Sequence, residues 1–134
     1  MTLFVDASAF LKRYLDEPDR ELAEEILGSD SELVTARLSL VEIRRVLYRE
    51  LLGTELAKAR TRFASDSSTW TIVDLSAAVC EAAAEIAETT QVRTLDALHL
   101  GAARETSGGR DPFVTFDVRQ ARAARSLGWT VLGV

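Results

Sequence analysis

Leu3-Phe4-Val5-Asp6-Ala7-Ser8 is the stretch whose reading decides the fold. Three apolar residues make a short strand over 2–6, a carboxylate ends it, and a small hydroxyl residue follows. Ala9, Phe10, Leu11, Tyr14 and Leu15 then recur at helical spacing, which predicts a short helix over 8–15. In an open α/β sheet, ligands bind outside the carboxyl ends of the strands. An acid ending a first, central strand therefore stands where chemistry is usually done.

The same alternation runs on along the chain. Pro18 breaks the first helix. Asp19 with Leu22, Ala23, Ile26 and Leu27 predicts a second, stopped by Gly28. Leu33-Val34-Thr35 reads as a strand. From Leu38, the apolar residues Val41, Val46, Leu47, Leu51 and Leu52 keep helical spacing until Gly53, and another helix spans Thr54 to Ser67. That helical pair reads as a lobe beside the sheet. Trp70–Leu75 is a strand, Ser76 caps an Ala-rich helix reaching Thr89, and Thr94 opens a helix that fades at Ser107-Gly108-Gly109. Pro112–Phe116 is a strand, Asp117 begins a last helix to Leu127, and Thr130-Val131-Leu132 is a closing strand. Strands alternating with helices imply right-handed crossovers and a mostly parallel sheet of about five strands, covered by helices. The expected class is an α/β/α sandwich, one domain over 1–134, without repeats or linkers.

Composition narrows the setting. Hydrophobic residues make up 47% of the chain and charged residues 28%, a globular balance. No apolar run approaches the ~20 residues a bilayer demands. The N-terminus has no basic segment followed by an apolar one, so the expected location is cytoplasmic, with no membrane association. Cys80 is the only cysteine, which excludes an internal disulfide and a cysteine zinc site, and it reads as a small core residue. Trp70 and Trp129 read as core or interface residues.

The net charge of −5 argues against an ordinary basic nucleic-acid binder. The charge is uneven, however. Residues 16–32 hold eight acids, Asp30 among them, and one base; residues 35–63 hold seven bases against three acids. An acidic total can hide a basic face, and local potential decides what a polyanion meets.

Four acids draw attention, and each has an ordinary explanation. Asp6, between strand and helix, fits an N-cap. Glu42 fits a surface glutamate three residues from Arg45. Asp96, in the first turn of Thr94-Leu95-Asp96-Ala97-Leu98-His99, complements the helix dipole. That helix is apolar nearly all round, and a buried charge needs a partner or a metal. Asp117-Val118-Arg119-Gln120 fits a capping-box pattern. His99, the only histidine, reads as a satisfied core residue, since histidine metal sites gather several.

Taken together, the four acids say more. Two end strands of a parallel sheet, a third opens a buried helix, and a fourth faces inward from a neighbouring helix. Converging carboxylates repel and raise one another's pKa unless a cation is present. An oxygen-rich cluster suits Mg²⁺ or Mn²⁺, and the chemistry that goes with it is phosphodiester hydrolysis.

Val5-Asp6-Ala7-Ser8-Ala9, helical Glu42, Leu95-Asp96-Ala97-Leu98-His99-Leu100 and Val114-Thr115-Phe116-Asp117 resemble the successive motifs of PIN domains. Within that family the chain most resembles VapC-like toxins of bacterial toxin–antitoxin pairs, in order and over its whole length. The resemblance implies a five-stranded parallel sheet between helices and an Mg²⁺- or Mn²⁺-dependent endoribonuclease. Asp6, Glu42, Asp96 and Asp117 match the family's acidic quartet, with Asp6 and Asp96 as principal metal ligands. Ser8 and Thr115 match its supporting hydroxyls. The resemblance also implies a homodimer and a cognate VapB-like antitoxin that silences the toxin, often by placing a basic side chain in the acidic pocket. Arg37, Arg44, Arg45 and Arg49 flank Glu42, and Arg119 and Arg122 follow Asp117; these six are the candidates for RNA phosphate contacts.

Other functions compete. One is a catalytically inactive PIN-like module that only binds a protein. Another is a phosphoacceptor switch, which wants an acidic pair after the first strand and a lysine after a late one. Here Ala7-Ser8 follows Asp6, and no lysine follows Lys58. An aspartyl-nucleophile phosphatase wants aspartate where Ser8 stands.

Overall fold

Alternation within the first strand sets up two apolar layers. In β1 (Thr2–Val5), Leu3 and Val5 join one buried cluster and Phe4 the other, as a period of two requires. The computed structural model describes residues 1–28 and 31–134, so Asp30 lies outside the described residues. The other strands are β2 (Glu32–Ala36), β3 (Thr71–Val73), β4 (Phe113–Thr115) and β5 (Val131–Gly133). They form one sheet in the order β3-β2-β1-β4-β5, with every pairing parallel. The first strand is central, as expected.

Seven helices cover the sheet among the described residues: α1 (Ala7–Leu11), α2 (Arg20–Leu27), α3 (Arg37–Glu50), α4 (Gly53–Ser67), α5 (Ala77–Thr90), α6 (Thr94–Ser107) and α7 (Val118–Ser126). One apolar layer joins Leu3, Val5 and Val114 to Phe10, Ile43, Leu47, Phe63 and Trp70. Phe10 and Trp70 stack with ring centroids 3.7 Å apart. The other layer joins Phe4, Val34 and Phe113 to Val79, Ile86, Leu100 and Ala124. Each large side chain so buried contributes about 1.5–3 kcal/mol.

Several expectations shift. The helix expected over 8–15 stops at Leu11. Lys12, Arg13 and Tyr14 donate instead to the carbonyls of Ala9, Phe10 and Leu11, a tighter i→i+3 turn. The helix expected to run from Leu38 to Gly53 stops at Glu50. Leu51 and Leu52 are extended, and Gly53, with φ +53°, opens α4 rather than closing α3. The α3–α4 pair is no separate lobe, since Ile43, Leu47, Ala59 and Phe63 share the sheet's own core. Cys80 is exposed, on the outer face of α5, and not a core residue. Trp70 is buried in the core, as expected. Ser76 caps α5 by accepting from the Val79 amide at 3.1 Å.

The topology places the site. From β1 the chain moves outward through β2 to β3, then returns to the other flank for β4 and β5. The strand order therefore reverses between β1 and β4. In open parallel sheets a crevice forms at that switch point, outside the carboxyl ends. Asp6 ends one of these two strands and Thr115 the other.

Candidate active site at the strand ends

Asp6 follows Val5 and is only 4% exposed. Its Oδ1 accepts from Ser8 Oγ at 2.6 Å and from the Ala9 amide at 3.3 Å; its Oδ2 accepts from Thr115 Oγ1 at 2.6 Å. The N-cap explanation is thus true of Asp6, yet it uses one bond of three. The two hydroxyls lie 3.2 Å apart and are themselves anchored. Ser8 Oγ accepts from the Phe116 amide at 2.9 Å, and Thr115 Oγ1 from the Asp117 amide at 3.1 Å. β1 and β4 are clasped at their ends by this small network. Burial pushes the Asp6 carboxyl above its usual range, against the charge of His99 and the two hydroxyls, which pull it down.

Asp96 lies in the first turn of α6 and is partly buried. Its carboxylate makes no hydrogen bond among the described residues. Burial raises its pKa first, and the charges of Asp117 and Glu42 raise it further. Asp117 is the N-cap of α7; its Oδ1 accepts from the Arg119 and Gln120 amides at 2.8 and 3.2 Å. The capping box is not completed. Buried Gln120 instead sends Nε2 to the Asp96 carbonyl at 3.2 Å, tying α7 to α6. Asp117 Oδ2 has no hydrogen-bond partner among the described residues.

Glu42 is carried by α3, with its side chain 34% exposed. His99 Nε2 lies 2.7 Å from Glu42 Oε1. A carboxylate only accepts, so Nε2–H donates. Burial lowers the imidazole pKa, but Glu42, Asp6 and Asp96 together carry it above its ordinary value. Its Nδ1 is buried without a hydrogen bond.

Three of the expected acids interact directly, and Asp6 joins them through His99. Asp96 feels Asp117 and Glu42, while His99 feels Glu42, Asp6 and Asp96. Among the described residues, no three acid, histidine or cysteine side chains close into a single ligand group. Asp96, Asp117 and Glu42 interact and Asp6 meets them only through His99; the four are not drawn together into a coordination shell.

Four contributors were absent from the expected site. His99 is buried, as a core histidine should be, but its contact is a candidate site residue. Thr35 and Ser39, both fully buried, link β2 to the first turn of α3: Thr35 Oγ1 donates to the Val5 carbonyl at 2.6 Å and hydrogen-bonds Ser39 Oγ at 2.8 Å. This fixes the helix three residues before Glu42. Gln120 is the fourth. The one available signal was spacing: Ser39 precedes Glu42, and His99 follows Asp96, by three residues.

The candidate arginines separate. Arg37 is ion-paired with Asp74, and Arg49 pairs with Glu50 at 2.9 Å. Arg44 and Arg45 line a cleft with Tyr48 and Arg60 that holds none of the four acids. Arg119 and Arg122 line a groove that includes Asp96.

A family model described as PIN domain matches residues 3–126. Ribonuclease VapC47 of Mycobacterium tuberculosis (strain CDC 1551 / Oshkosh) is 30% identical over 131 residues, spanning 95% of this chain and 93% of that protein. Among solved structures, VapBC2 from Rickettsia felis, bound to a DNA fragment from its promoter, aligns over 100% of this chain and 99% of that one, with TM-score 0.73 and 14% identity. Mycobacterium tuberculosis VapC20, a toxin that cleaves the sarcin–ricin loop, aligns over 90% of this chain and 94% of that one, with TM-score 0.73 and 19% identity.

Proposed function

The chain belongs to the PIN-domain family, and from that premise we propose that it is a divalent-metal-dependent endoribonuclease, the toxin of a toxin–antitoxin pair. Its relative VapC47 is a ribonuclease similar along almost the whole chain. The observation that carries the reading is Asp6. A nearly fully buried carboxylate at the switch point of a parallel sheet, both oxygens held by hydroxyls, costs stability unless something positive faces it.

The chemistry of the donor set suits a hard cation, although the four carboxylates do not close into one ligand group among the described residues. All four acids offer oxygen, and the upward push on Asp96 from Asp117 and Glu42 is the repulsion that a cation relieves. Asp6 and Asp96 are the principal ligands, and Glu42 and Asp117 complete the site directly or through water. Mg²⁺ or Mn²⁺, when bound, supplies Lewis-acid activation and neutralisation of phosphate charge.

The chain's own residues do the rest. Ser8 and Thr115 fix the rotation of the Asp6 carboxylate, so that its remaining lone pairs face a defined direction. Thr35 and Ser39 set the register of α3 and so the reach of Glu42. His99 holds Glu42 Oε1. Gln120 locks the first turn of α6 against α7, fixing Asp96 relative to Asp117. The RNA phosphate enters against these acids with its charge balanced by neighbouring arginines, which position it.

The protein works in the cytoplasm as one unit over 1–134, as a homodimer, silenced by a cognate VapB-like antitoxin. No described helix is long and apolar enough to cross a membrane. The test is cleavage of a cellular RNA pool with Mg²⁺ or Mn²⁺, with EDTA, and with Asp6→Asn. Metal-dependent cleavage lost in the variant supports the enzyme. Absence of both cleavage and metal binding leads to the inactive binding module.

A further inference from the structure

Where α3 meets α4, two adjoining clefts of about 440 and 400 Å³ share Leu40, Arg44 and Arg60. Val41, Arg45 and Tyr48 complete the first, and Phe63 stands in the wall of the second. Helical spacing builds the α3 side. Val41, Arg44, Arg45 and Tyr48 fall at i, i+3, i+4 and i+7, which is one face of a helix. Arg60 comes across from α4. Phe63 is buried in the core, so the wall it forms is fixed.

No acid lines either cleft. Elsewhere, Arg13, Arg20, Arg37, Arg49, Arg62 and Arg104 are each engaged with a carboxylate. Arg44, Arg45 and Arg60 are exposed and make no ion pair or hydrogen bond among the described residues. In a chain of net charge −5, three such guanidinium groups around one cleft make a local positive potential. Beside them Tyr48 is 72% exposed and Val41 66%, which leaves the tyrosine ring open to a flat group. Arginine forks match phosphate oxygens two at a time, and an aromatic ring takes a base by stacking. The two features together call for a ligand that is anionic at one end and flat at the other. Each volume falls in the ~300–1,000 Å³ range of small-ligand clefts.

We propose that the α3–α4 cleft binds a free nucleotide, a nucleoside carrying two or more phosphates. Its base stacks on Tyr48 beside Val41, and Arg44, Arg45 and Arg60 hold its phosphates. Three guanidinium groups gathered on one cleft match a polyphosphate, whose charge is concentrated, better than a strand, whose charge is spread along its length. The site is separate from the strand-end acids, none of which lines it.

The test is calorimetric titration in EDTA with ADP and with its two halves, adenosine and inorganic diphosphate. ADP should bind at least about tenfold more tightly than either half, since stacking and phosphate contacts then act together. Tyr48→Ala should weaken ADP about tenfold and leave diphosphate unchanged. Arg44→Gln with Arg60→Gln should weaken both about ten- to hundredfold. All three side chains are exposed, so the melting temperature should not move. Asp6→Asn, and Arg93→Gln with Arg122→Gln, should bind ADP as wild type does. Absence of ADP binding by wild type overturns the site, as does binding that ignores the α3–α4 variants or is lost only with Arg93 and Arg122. If an RNA strand of about ten nucleotides binds more tightly at the same residues and displaces ADP, the face holds strands and the free-nucleotide site is overturned. If wild type ignores ADP and Tyr48→Ala turns a dimer into a monomer in sedimentation, the face is a contact between copies of this chain and the site is equally overturned.

Discussion

His99 Nε2 donates to Glu42 Oε1 at 2.7 Å, joining α6 to α3 through an imidazole that is only 3% exposed. The bond is charge-assisted and the ring is packed, so removing it both opens a cavity and releases Glu42. His99→Ala should cost about 2–3 kcal/mol in urea unfolding. It should also weaken Mg²⁺ affinity about ten- to hundredfold by calorimetry, as loss of an orienting partner does. His99→Gln, which keeps a donor, should recover part of the metal affinity. A variant that loses stability and keeps full metal affinity would make His99 a packing residue alone.

Asp6 predicts an unusual pH dependence for the metal-free protein. Burial raises its folded pKa above the ordinary 3.8, so the folded state binds more protons than the unfolded state in between. Stability in EDTA should therefore fall as pH rises through that folded value. His99 acts in the same direction at higher pH. Its folded pKa is raised above 6.5, so its contribution is present below 6.5 and lost as pH rises through the folded value. Asp6→Asn should remove the first of these losses, leaving a metal-free protein that is more stable at pH 7 than wild type. If Asp6 is a metal ligand as proposed, the same variant should lose more than about 100-fold in cleavage, since it would then remove a ligand and not merely a ligand's partner. Chemical denaturation across pH, with and without Mg²⁺, reads both effects.

What sequence could and could not convey divides along physical lines. Asp6 and Asp117 were legible because strand-then-helix patterning places a residue at a strand end by counting alone. His99 was placed correctly in the interior, but its partner lies 57 positions away on a different helix, and no periodicity encodes a crossing between helices. Thr35 and Ser39 look like an ordinary strand former and an ordinary helix start; only their mutual bond makes them a clamp. Gly53 follows a long apolar helix and resembles a stop. It opens the next helix because extended Leu51 and Leu52 have already broken the first. Arginine counting put weight on α3; that Arg37 and Arg49 there are ion-paired is invisible in sequence.

Thr115 and Ser8 separate orientation from ligation. Thr115 is fully buried and donates to Asp6 Oδ2; Ser8 donates to Oδ1. Thr115→Val keeps the volume and removes the hydroxyl. It should cost about 1–3 kcal/mol, because a buried carboxylate oxygen is left unpaired. It should also raise the Asp6 pKa further, because the lost bond favoured the ionised form. Metal affinity should fall about ten- to hundredfold. A carboxyl-specific infrared titration of Asp6 in wild type and variant checks the direction; a downward shift would refute the role.

Gly101 tests how tightly α6 must sit. A methyl group there would meet the Val79 carbonyl oxygen at 2.7 Å, the Ala83 nitrogen at 2.8 Å and Ala83 Cβ at 2.9 Å, two of them backbone atoms of α5. Gly101→Ala must therefore push α5 and α6 apart, against the usual gain of replacing a helical glycine. A net cost of about 1–3 kcal/mol is expected. α6 carries both Asp96 and His99, so metal affinity should fall with stability, read by calorimetry at a temperature where the variant is folded.

Asp117 is both a cap and a candidate ligand, and the two roles respond to different substitutions. Its Oδ1 caps α7 through the Arg119 and Gln120 amides, while Oδ2 has no partner among the described residues. Asn retains a capping oxygen and removes the charge; Ala removes both. Asp117→Ala should therefore cost about 1 kcal/mol, and Asp117→Asn little. If Asp117 serves the metal site, both variants should lose cleavage alike, despite their different stabilities. Asp117→Asn should also bring the Asp96 pKa down, since Asp117 is one of the charges that raise it. Full activity in Asp117→Asn, with instability confined to Asp117→Ala, would leave Asp117 a helix cap and reduce the site to Asp6, Glu42 and Asp96.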